Sequence, residues 1–396
     1  MKNSTNYKKI IIYVMDIITI LLLCYYCYVL TYKMMNVQLG DVKYLSDYTT
    51  HLYGAMTGSG YSLMHIIFRT VINISYNKHI LSLVMVVIVL LTILGTSAFL
   101  RFLTNYLSEE KPGFEITTFI AAASVLLASI YIPFFQPHFY ISRTMLTQPW
   151  HNSTYLLMRM FAVIAFLLFI KLQDSYIEKF DYKTAVAFTM VLTLVNYAKP
   201  SFIIAFSPIV LFMLIYDLVK TKGKSFFPAF KFGICILISL SVVAVQYMTL
   251  FGEDDEAGTA FTLHKFYELI TNPASYISLI CNLAFPIFVL VICIYLKRKD
   301  TNISLRVLIL SWAMFLLSRL EGVFITETGS RASDGNFSWG TYYFAFQLSI
   351  VSAAYLMAVR KNLKWGNYIG WLLYLACTIS GIAYFRLLLQ GVYFII

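Results

Sequence analysis

Residues 79–100 read HILSLVMVVIVLLTILGTSAFL, a run of 22 residues without Asp, Glu, Lys or Arg. The hydrocarbon core of a bilayer is about 30 Å thick, and an α-helix needs about 20 apolar residues to cross it. We therefore predict that this stretch is a transmembrane helix.

The composition of the whole chain is that of a membrane protein. Of its 396 residues, 60% are hydrophobic and only 12% are charged, and the mean hydropathy is +0.74. Soluble domains carry about 25% charged residues. This difference excludes a cytosolic enzyme, a nucleic-acid-binding domain and a disordered tail.

Ten further apolar segments flank the quoted stretch on both sides. Together with it they predict spans over residues 10–32, 79–100, 116–132, 154–170, 184–198, 201–219, 232–251, 276–296, 307–325, 339–359 and 366–389. The first reaches Tyr32 and Lys33 without a small-residue cleavage site, so we expect a retained anchor rather than a signal peptide. The predicted fold is an all-α polytopic membrane protein with about eleven transmembrane helices, forming a single integral-membrane domain over residues 1–396.

The distribution of charge predicts the orientation. With a cytoplasmic N-terminus, the inner loops hold 19 Lys and Arg against 7 Asp and Glu, whereas the outer loops hold 8 against 9. Cytoplasmic loops of membrane proteins are enriched in Lys and Arg. We therefore expect a multi-pass protein of the cell membrane with its N-terminus cytoplasmic and its C-terminus extracytoplasmic. The formal net charge of +11 reflects topology, and no nucleic-acid partner is implied.

The first outer loop, residues 33–78, is the longest. We predict that Ser46 caps a helix running to about Met56, that Gly58-Ser-Gly60 breaks the chain, and that a second helix covers 61–75. In this second helix Leu63, Ile66, Ile67, Val71 and Ile74 form one apolar stripe. Both helices are too short and too polar to span the membrane, so we expect them to lie in its interface.

Asp47 and His51 lie four residues apart in this loop, so they share one face of the first helix. A carboxylate beside an imidazole is suited to act as a general base or as a metal ligand. The alternative is that Asp47 only favours the positive end of a helix and that His51 is an ordinary polar residue of the interface.

The stretch SDYTTHLYGAM (46–56) followed by GYSLMHII (60–67) resembles the first outer loop of the GT-C superfamily of integral-membrane glycosyltransferases. The resemblance covers the arrangement of residues 1–250, a GT-C-like core module, and 251–396 is predicted to be a variable C-terminal transmembrane module. It implies that the acidic residue of this loop, Asp47 or in second place Asp41, activates the acceptor or helps to hold a metal such as Mg or Mn. It also implies a sugar donor carried on a polyprenyl phosphate, and Lys outnumbering Arg by 20 to 10 suggests a bacterial source.

Three cations facing outward are candidates for binding the donor phosphate. Arg159 lies inside the fourth predicted span, where an arginine costs about 3 kcal/mol unless it snorkels or pairs. Lys199 precedes Pro200 at the start of a helix, whose free amides favour anions. Arg331 lies in a charged late loop, where pairing with Asp334 is the alternative role. For Arg159 the alternative is snorkelling to the interface, and for Lys199 it is contact with lipid headgroups.

Five more residues are predicted to line an acceptor cleft on the outer side: His65, Trp150, His151, Asn152 and Glu321. Trp150 has the alternative role of an anchor at the membrane interface. Apart from Asp47 and His51, we predict no residue as a metal ligand.

The sequence thus predicts an enzyme that transfers a sugar from a polyprenyl-phosphate carrier to an acceptor on the extracytoplasmic face. The first alternative is a transporter or flippase of lipid-linked saccharides, which would use the same cations without a catalytic carboxylate. Transporters usually show interrupted helices in both halves, whereas only Lys199-Pro200 looks interrupted here. The second alternative is a polysaccharide polymerase or ligase, for which we expect a large late outer loop.

Overall fold

A computed structural model describes residues 2–37, 44, 46–109, 111–132, 150–251, 258–271, 273–299, 303–329 and 335–391. The helices are α1 Lys2–Met35, α2 Tyr48–Thr57, α3 Leu63–Ile74, α4 Lys78–Ser108, α5 Phe114–Ser124, α6 Ser153–Ser175, α7 Tyr182–Ala198, α8 Ser201–Lys220, α9 Phe226–Phe251, α10 His264–Thr271, α11 Pro273–Arg298, α12 Arg306–Phe324, α13 Trp339–Ala358 and α14 Lys364–Leu389. Two short strands, β1 Thr259–Phe261 and β2 Ile325–Glu327, pair antiparallel, and a 3₁₀ turn covers Asn336–Ser338.

Within these ranges, eight helices are long and apolar enough to cross a membrane: α1, α4, α6, α8, α9, α11, α12 and α14. The chain is therefore an all-α polytopic protein, as predicted. The predicted count of eleven spans is not confirmed, because α5 and α7 have only 11 and 17 residues and α13 is not among these eight helices.

The predicted span 116–132 is helical only as far as Ser124. Beyond it, the backbone N–H of Ala128 donates to the Cys377 carbonyl at 3.2 Å, and that of Tyr131 donates to Ser380 Oγ at 3.0 Å. Non-helical backbone at membrane depth requires partners within the protein. The helix α14 supplies them, and an apolar run in the sequence does not reveal such a partner.

The helix α13 forms the centre of the molecule. Every residue from Trp339 to Met357 is buried, and the helix contacts α4, α8, α11 and α12. Because α13 is surrounded by protein, it accommodates polar residues such as Gln347 and Ser352 that a lipid-facing helix would avoid. A Cβ atom added to Gly340 would lie 2.8 Å from the Ser201 carbonyl oxygen, so α13 and α8 touch closely there.

The loop over residues 33–78 does contain two short helices, α2 and α3, but one detail of its prediction is wrong. Asp47, not Ser46, is the N-cap residue of α2, and the Ser46 hydroxyl instead donates to the Met34 carbonyl at 3.4 Å. On α3 the predicted apolar stripe is partly exposed at the surface of the protein, since Ile66 and Ile74 are 40% and 82% exposed. The buried residues are Met64, His65 and Phe68, because α3 packs on α2, α4, α6 and α7.

Candidate functional site

Asp47 is held by the start of α6. Its backbone N–H donates to the His151 carbonyl at 3.0 Å, and the Asn152 side-chain amide donates to Asp47 Oδ2 at 2.5 Å. The Asp47 side chain makes no capping hydrogen bond to its own helix. The carboxylate therefore bonds to the N-terminus of α6, 105 residues away in sequence, and does not cap its own helix.

Asn152 explains why this contact has a defined geometry. Its Oδ1 accepts from the Tyr155 backbone N–H at 2.8 Å and from the Thr154 hydroxyl at 2.7 Å, which is the usual bonding of an N-cap residue. Because the oxygen caps α6, the amide nitrogen must point the other way, towards Asp47. One side chain thus starts a helix and orients the carboxylate.

Lys199 lies on the other side of the same cluster. It is the C-cap residue of α7, and its Nζ lies 4.5 Å from the centroid of the Trp339 ring. Trp339 in turn packs on His151, with ring centroids 5.5 Å apart. The charges of Lys199 and Asp47 both act on His51 and on His151, so the cation and the carboxylate flank the same imidazoles.

Three histidines of this cluster favour the neutral form. Burial lowers the pKa of His51 to about 3, with Asp47 opposing the shift and His65 and Lys199 adding to it. Burial, with a contribution from Arg69, lowers the pKa of His65 to about 4. Burial and Lys199 also lower the pKa of His151, against the effect of Asp47. Among the described residues, the charged side chains that act on these three rings are Asp47, Lys199 and Arg69.

Arg159 and Trp150 lie in the interior behind this cluster. The Arg159 guanidinium is 0% exposed and lies 5.8 Å from the Trp150 ring, 5.8 Å from the Tyr155 ring and 5.2 Å from the Phe346 ring. Trp150 is also 0% exposed and packs on Phe385. The structure therefore supports neither snorkelling of Arg159 nor an interfacial anchor role for Trp150. Cation–π contacts of this kind stabilise a buried guanidinium.

A second carboxylate, which the sequence did not single out, lies beside the start of α8. Both oxygens of Glu327 accept from the Asn336 amide, at 3.1 and 2.9 Å, and the Ser201 hydroxyl donates to the Asn336 carbonyl at 3.3 Å. Glu321, the predicted cleft residue, is buried one position before Gly322, which packs on Ser338. Nothing in the spacing of Glu327 and Asn336 marks them as partners.

Trp339 is the other residue of the cluster that the sequence did not predict. It lies at the first position of α13, directly after the charged loop in which the sequence predicts Arg331 as the functional residue. Asp41 and Arg331 lie outside the described residues. Among the residues that are described, no group of three or more His, Cys, Asp or Glu side chains lies close enough to hold a metal ion.

A groove of about 280 Å³ opens beside the cluster, between the C-terminal ends of α7 and α9. Tyr61, Tyr197, Val245, Gln246 and Thr249 line it. Tyr61 packs near the His65 ring at 6.0 Å, and Tyr197 precedes Lys199 by two residues. The groove therefore borders α9 on one side and, through Tyr61 and Tyr197, residues adjacent to the cluster on the other.

Comparison of this chain with protein-family models, with curated proteins and with solved structures gives no match. The cluster offers an oriented carboxylate, a lysine and neutral imidazoles, contributed by α2, α3, α6 and the α7–α8 junction.

Proposed function

We propose that this protein is a glycosyltransferase that moves a sugar from a polyprenyl-phosphate carrier to an acceptor on the extracytoplasmic face of the membrane. The observation that carries the proposal is the juxtaposition of Asp47 with Lys199. Asn152 orients the Asp47 carboxylate, and the Asp47 backbone bonds to His151. Lys199 contacts Trp339, whose ring packs on that of His151. Glycosyl transfer needs a base near a cation, and this cluster offers both.

In the proposed reaction, Asp47 accepts the proton of the acceptor hydroxyl while the hydroxyl oxygen attacks the anomeric carbon of the sugar. The bond from that carbon to the phosphate oxygen breaks, and the electron pair leaves with the lipid phosphate. Lys199 stabilises the charge that develops on this leaving group. Arg159 lies deeper and contributes a positive potential from behind the aromatic rings, rather than direct contact.

The groove between α7 and α9 supports a lipid-linked donor. Val245 is 62% exposed on the outer part of α9, so the groove offers an apolar approach from the side of the molecule. We infer that the first isoprene units of the carrier lie there, with the phosphate towards Lys199. The same proposal includes Asp41 as the second candidate for the catalytic carboxylate, Arg331 as a ligand of the donor phosphate and Glu321 as a residue of the acceptor cleft. It also includes a divalent metal held by the catalytic carboxylate.

The test is Asp47→Asn in membranes supplied with radiolabelled polyprenyl-phosphate sugar. We expect transfer to fall by at least about 100-fold, because general-base catalysis contributes about 10²–10⁴-fold. The matched control is Asp174→Asn, which removes an exposed carboxylate bonded to Tyr106 on α4. Full transfer by the Asp47 variant would contradict the proposal. Movement of labelled lipid across vesicles without transfer would favour the transporter alternative.

A further inference from the structure

The site contains a chain of hydrogen bonds that assigns a proton to each of two histidines. The Ser62 backbone N–H donates to His65 Nδ1 at 3.2 Å, and the Ser62 hydroxyl lies 2.7 Å from the same atom. A backbone N–H can only donate, so His65 Nδ1 must be the acceptor and carry no proton. A neutral His65 then carries its proton on Nε2.

The next link of the chain leads to His51. His65 Nε2 lies 3.2 Å from His51 Nδ1, and because the former carries the proton, the latter accepts. Neutral His51 therefore carries its own proton on Nε2, at the opposite edge of its ring. Both imidazoles are neutral near pH 7, since burial lowers the pKa of His51 to about 3 and that of His65 to about 4.

The His51 Nε2–H is buried and has no hydrogen-bond partner among the described residues. A buried polar group without a partner costs about 1–3 kcal/mol, so such groups in native proteins usually have a function or a ligand. The charged groups that act on this ring are Asp47, from the start of α2, and Lys199, from the α7–α8 junction, while neutral His65 faces it from α3.

The surrounding backbone is shaped for this chain. A Cβ atom on Gly60 would lie 2.3 Å from the His65 ring, and one on Gly54 would lie 3.1 Å from it. The Gly60 N–H also donates to the Gly54 carbonyl at 3.0 Å. Glycine at both positions is therefore what allows the His65 ring to lie between α2 and α3 and reach His51.

We propose that His51 donates a hydrogen bond from Nε2 to an oxyanion of the phosphate group bound beside Lys199, and that His65 is the positioning residue that keeps the proton there. The inference rests on the proposed function for the identity of the lipid phosphate. It gives His51 a role different from the predicted base or metal ligand, because either of those roles needs a lone pair on the outward nitrogen. Asp47 then remains the base of the site.

The test uses the full-length protein in lipid nanodiscs with ¹⁵N-labelled histidine, and long-range ¹H–¹⁵N spectra at pH 7.5. His51→Gln and His65→Gln assign two of the six histidines. We expect both residues to be neutral with the proton on Nε2. A proton on Nδ1 of either residue overturns the inference.

Two substitutions of His65 separate positioning from folding. His65→Leu removes the donor to His51 Nδ1, so His51 should become a mixture of tautomers. His65→Gln supplies an amide N–H in its place and should keep the proton of His51 on Nε2. Ser62→Ala is the matched control, because its backbone N–H still donates. An unchanged His51 spectrum in His65→Leu contradicts the inference, and if that variant does not fold, the wild-type tautomers decide.

The ligand arm compares geranylgeranyl phosphate with inorganic phosphate at equal concentration. A shift of the His51 Nε2–H resonance with the lipid phosphate alone supports a lipid-linked ligand, and an equal shift with both supports recognition of the phosphate regardless of its source. No shift with either overturns the inference. These spectra need no sugar transfer, so failure of the Asp47→Asn test would reject the proposed enzyme activity and leave the histidine chain standing.

Discussion

At the scale of residues, Asn152 carries two tasks that are usually separate. Its oxygen caps α6 and its nitrogen holds Asp47. Removing the side chain is therefore expected to reduce both stability and activity. The substitutions Asn152→Ala and Asn152→Ser separate the two effects.

We predict that Asn152→Ala lowers the free energy of unfolding by about 0.5–2 kcal/mol, the usual loss for an N-cap residue, and also impairs transfer. Asn152→Ser should keep most of the stability, since serine is a good N-cap, but it cannot donate an amide hydrogen bond to Asp47. Thermal unfolding in detergent and transfer assays measure the two effects. Full activity in the serine variant would show that Asp47 needs no such orientation.

His51 and His65 predict that the stability of the folded α2–α3 segment rises with pH. Unfolded histidine has a pKa near 6.5, whereas folding lowers the pKa of His51 to about 3 and that of His65 to about 4. Between these values the unfolded segment binds protons that the folded one does not, so stability rises with pH. The contribution is fully present above about pH 6.5 and is lost as the pH falls from there through about 4 for His65 and about 3 for His51.

Hydrogen exchange over residues 48–74 at pH 7 and pH 5, corrected for the intrinsic exchange rate, measures this effect. We expect easier opening of α2 and α3 at pH 5. The double variant His51→Gln and His65→Gln is the control and should depend less on pH. Equal protection of the wild-type segment at both pH values would contradict the prediction.

At the scale of elements, the site depends on the close contact of α8 with α13. The Ser201 carbonyl leaves no room for a side chain at Gly340, and the neighbouring Trp339 carries the contact with Lys199. The packing of α8 and α13 at their N-terminal ends thus sets the distance between Lys199 and Trp339.

We predict that Gly340→Ala lowers the free energy of unfolding by about 1–3 kcal/mol, the usual cost of overpacking, because the helices must separate. Gly233→Ala is the matched control, since a Cβ atom there meets nothing within 4 Å. Thermal unfolding in detergent measures both. A Gly340 variant as stable as the control would show that the two helices separate without cost.

At the scale of the whole molecule, the fold brings together segments that are distant in sequence. α13 occupies the centre, and the C-terminal end of α8 and the N-terminal end of α12 are joined by the ion pair of Asp217 with Arg306 at 2.8 Å. Tyr176, the C-cap residue of α6, donates to the same carboxylate at 2.9 Å. These contacts lie at the opposite ends of α6 and α8 from the Asp47 cluster.

The orientation predicted from charge is tested by cysteine labelling in intact cells. We predict that Ser59→Cys, in the exposed turn between α2 and α3, reacts with an impermeant maleimide, whereas Lys224→Cys, exposed between α8 and α9, reacts only after lysis. Background labelling should be low, because five of the six native cysteines are buried. The reverse pattern would place the cluster on the cytoplasmic side.

The sequence by itself determined the class of this protein, an all-α polytopic membrane protein, and made Asp47, His51 and Lys199 candidate site residues. Long runs of apolar residues suffice to predict helices in a bilayer, because a helix satisfies its own backbone hydrogen bonds and its apolar side chains suit the hydrocarbon region. Because charged residues are scarce in this chain, polar residues such as Asp47, His51 and Lys199 stand out in the sequence. Helix ends such as that of α5 were not predictable, because their backbone partners belong to α14.

Only the tertiary structure decided which polar groups meet. Asp47 bonds to Asn152 across 105 residues, and Lys199 meets Trp339 across 140 positions. Periodicity describes one helix at a time and carries no information on the neighbour that faces it. The tautomers of His51 and His65 follow from three-dimensional hydrogen bonding alone, because a histidine has two possible proton positions and only its partners select one.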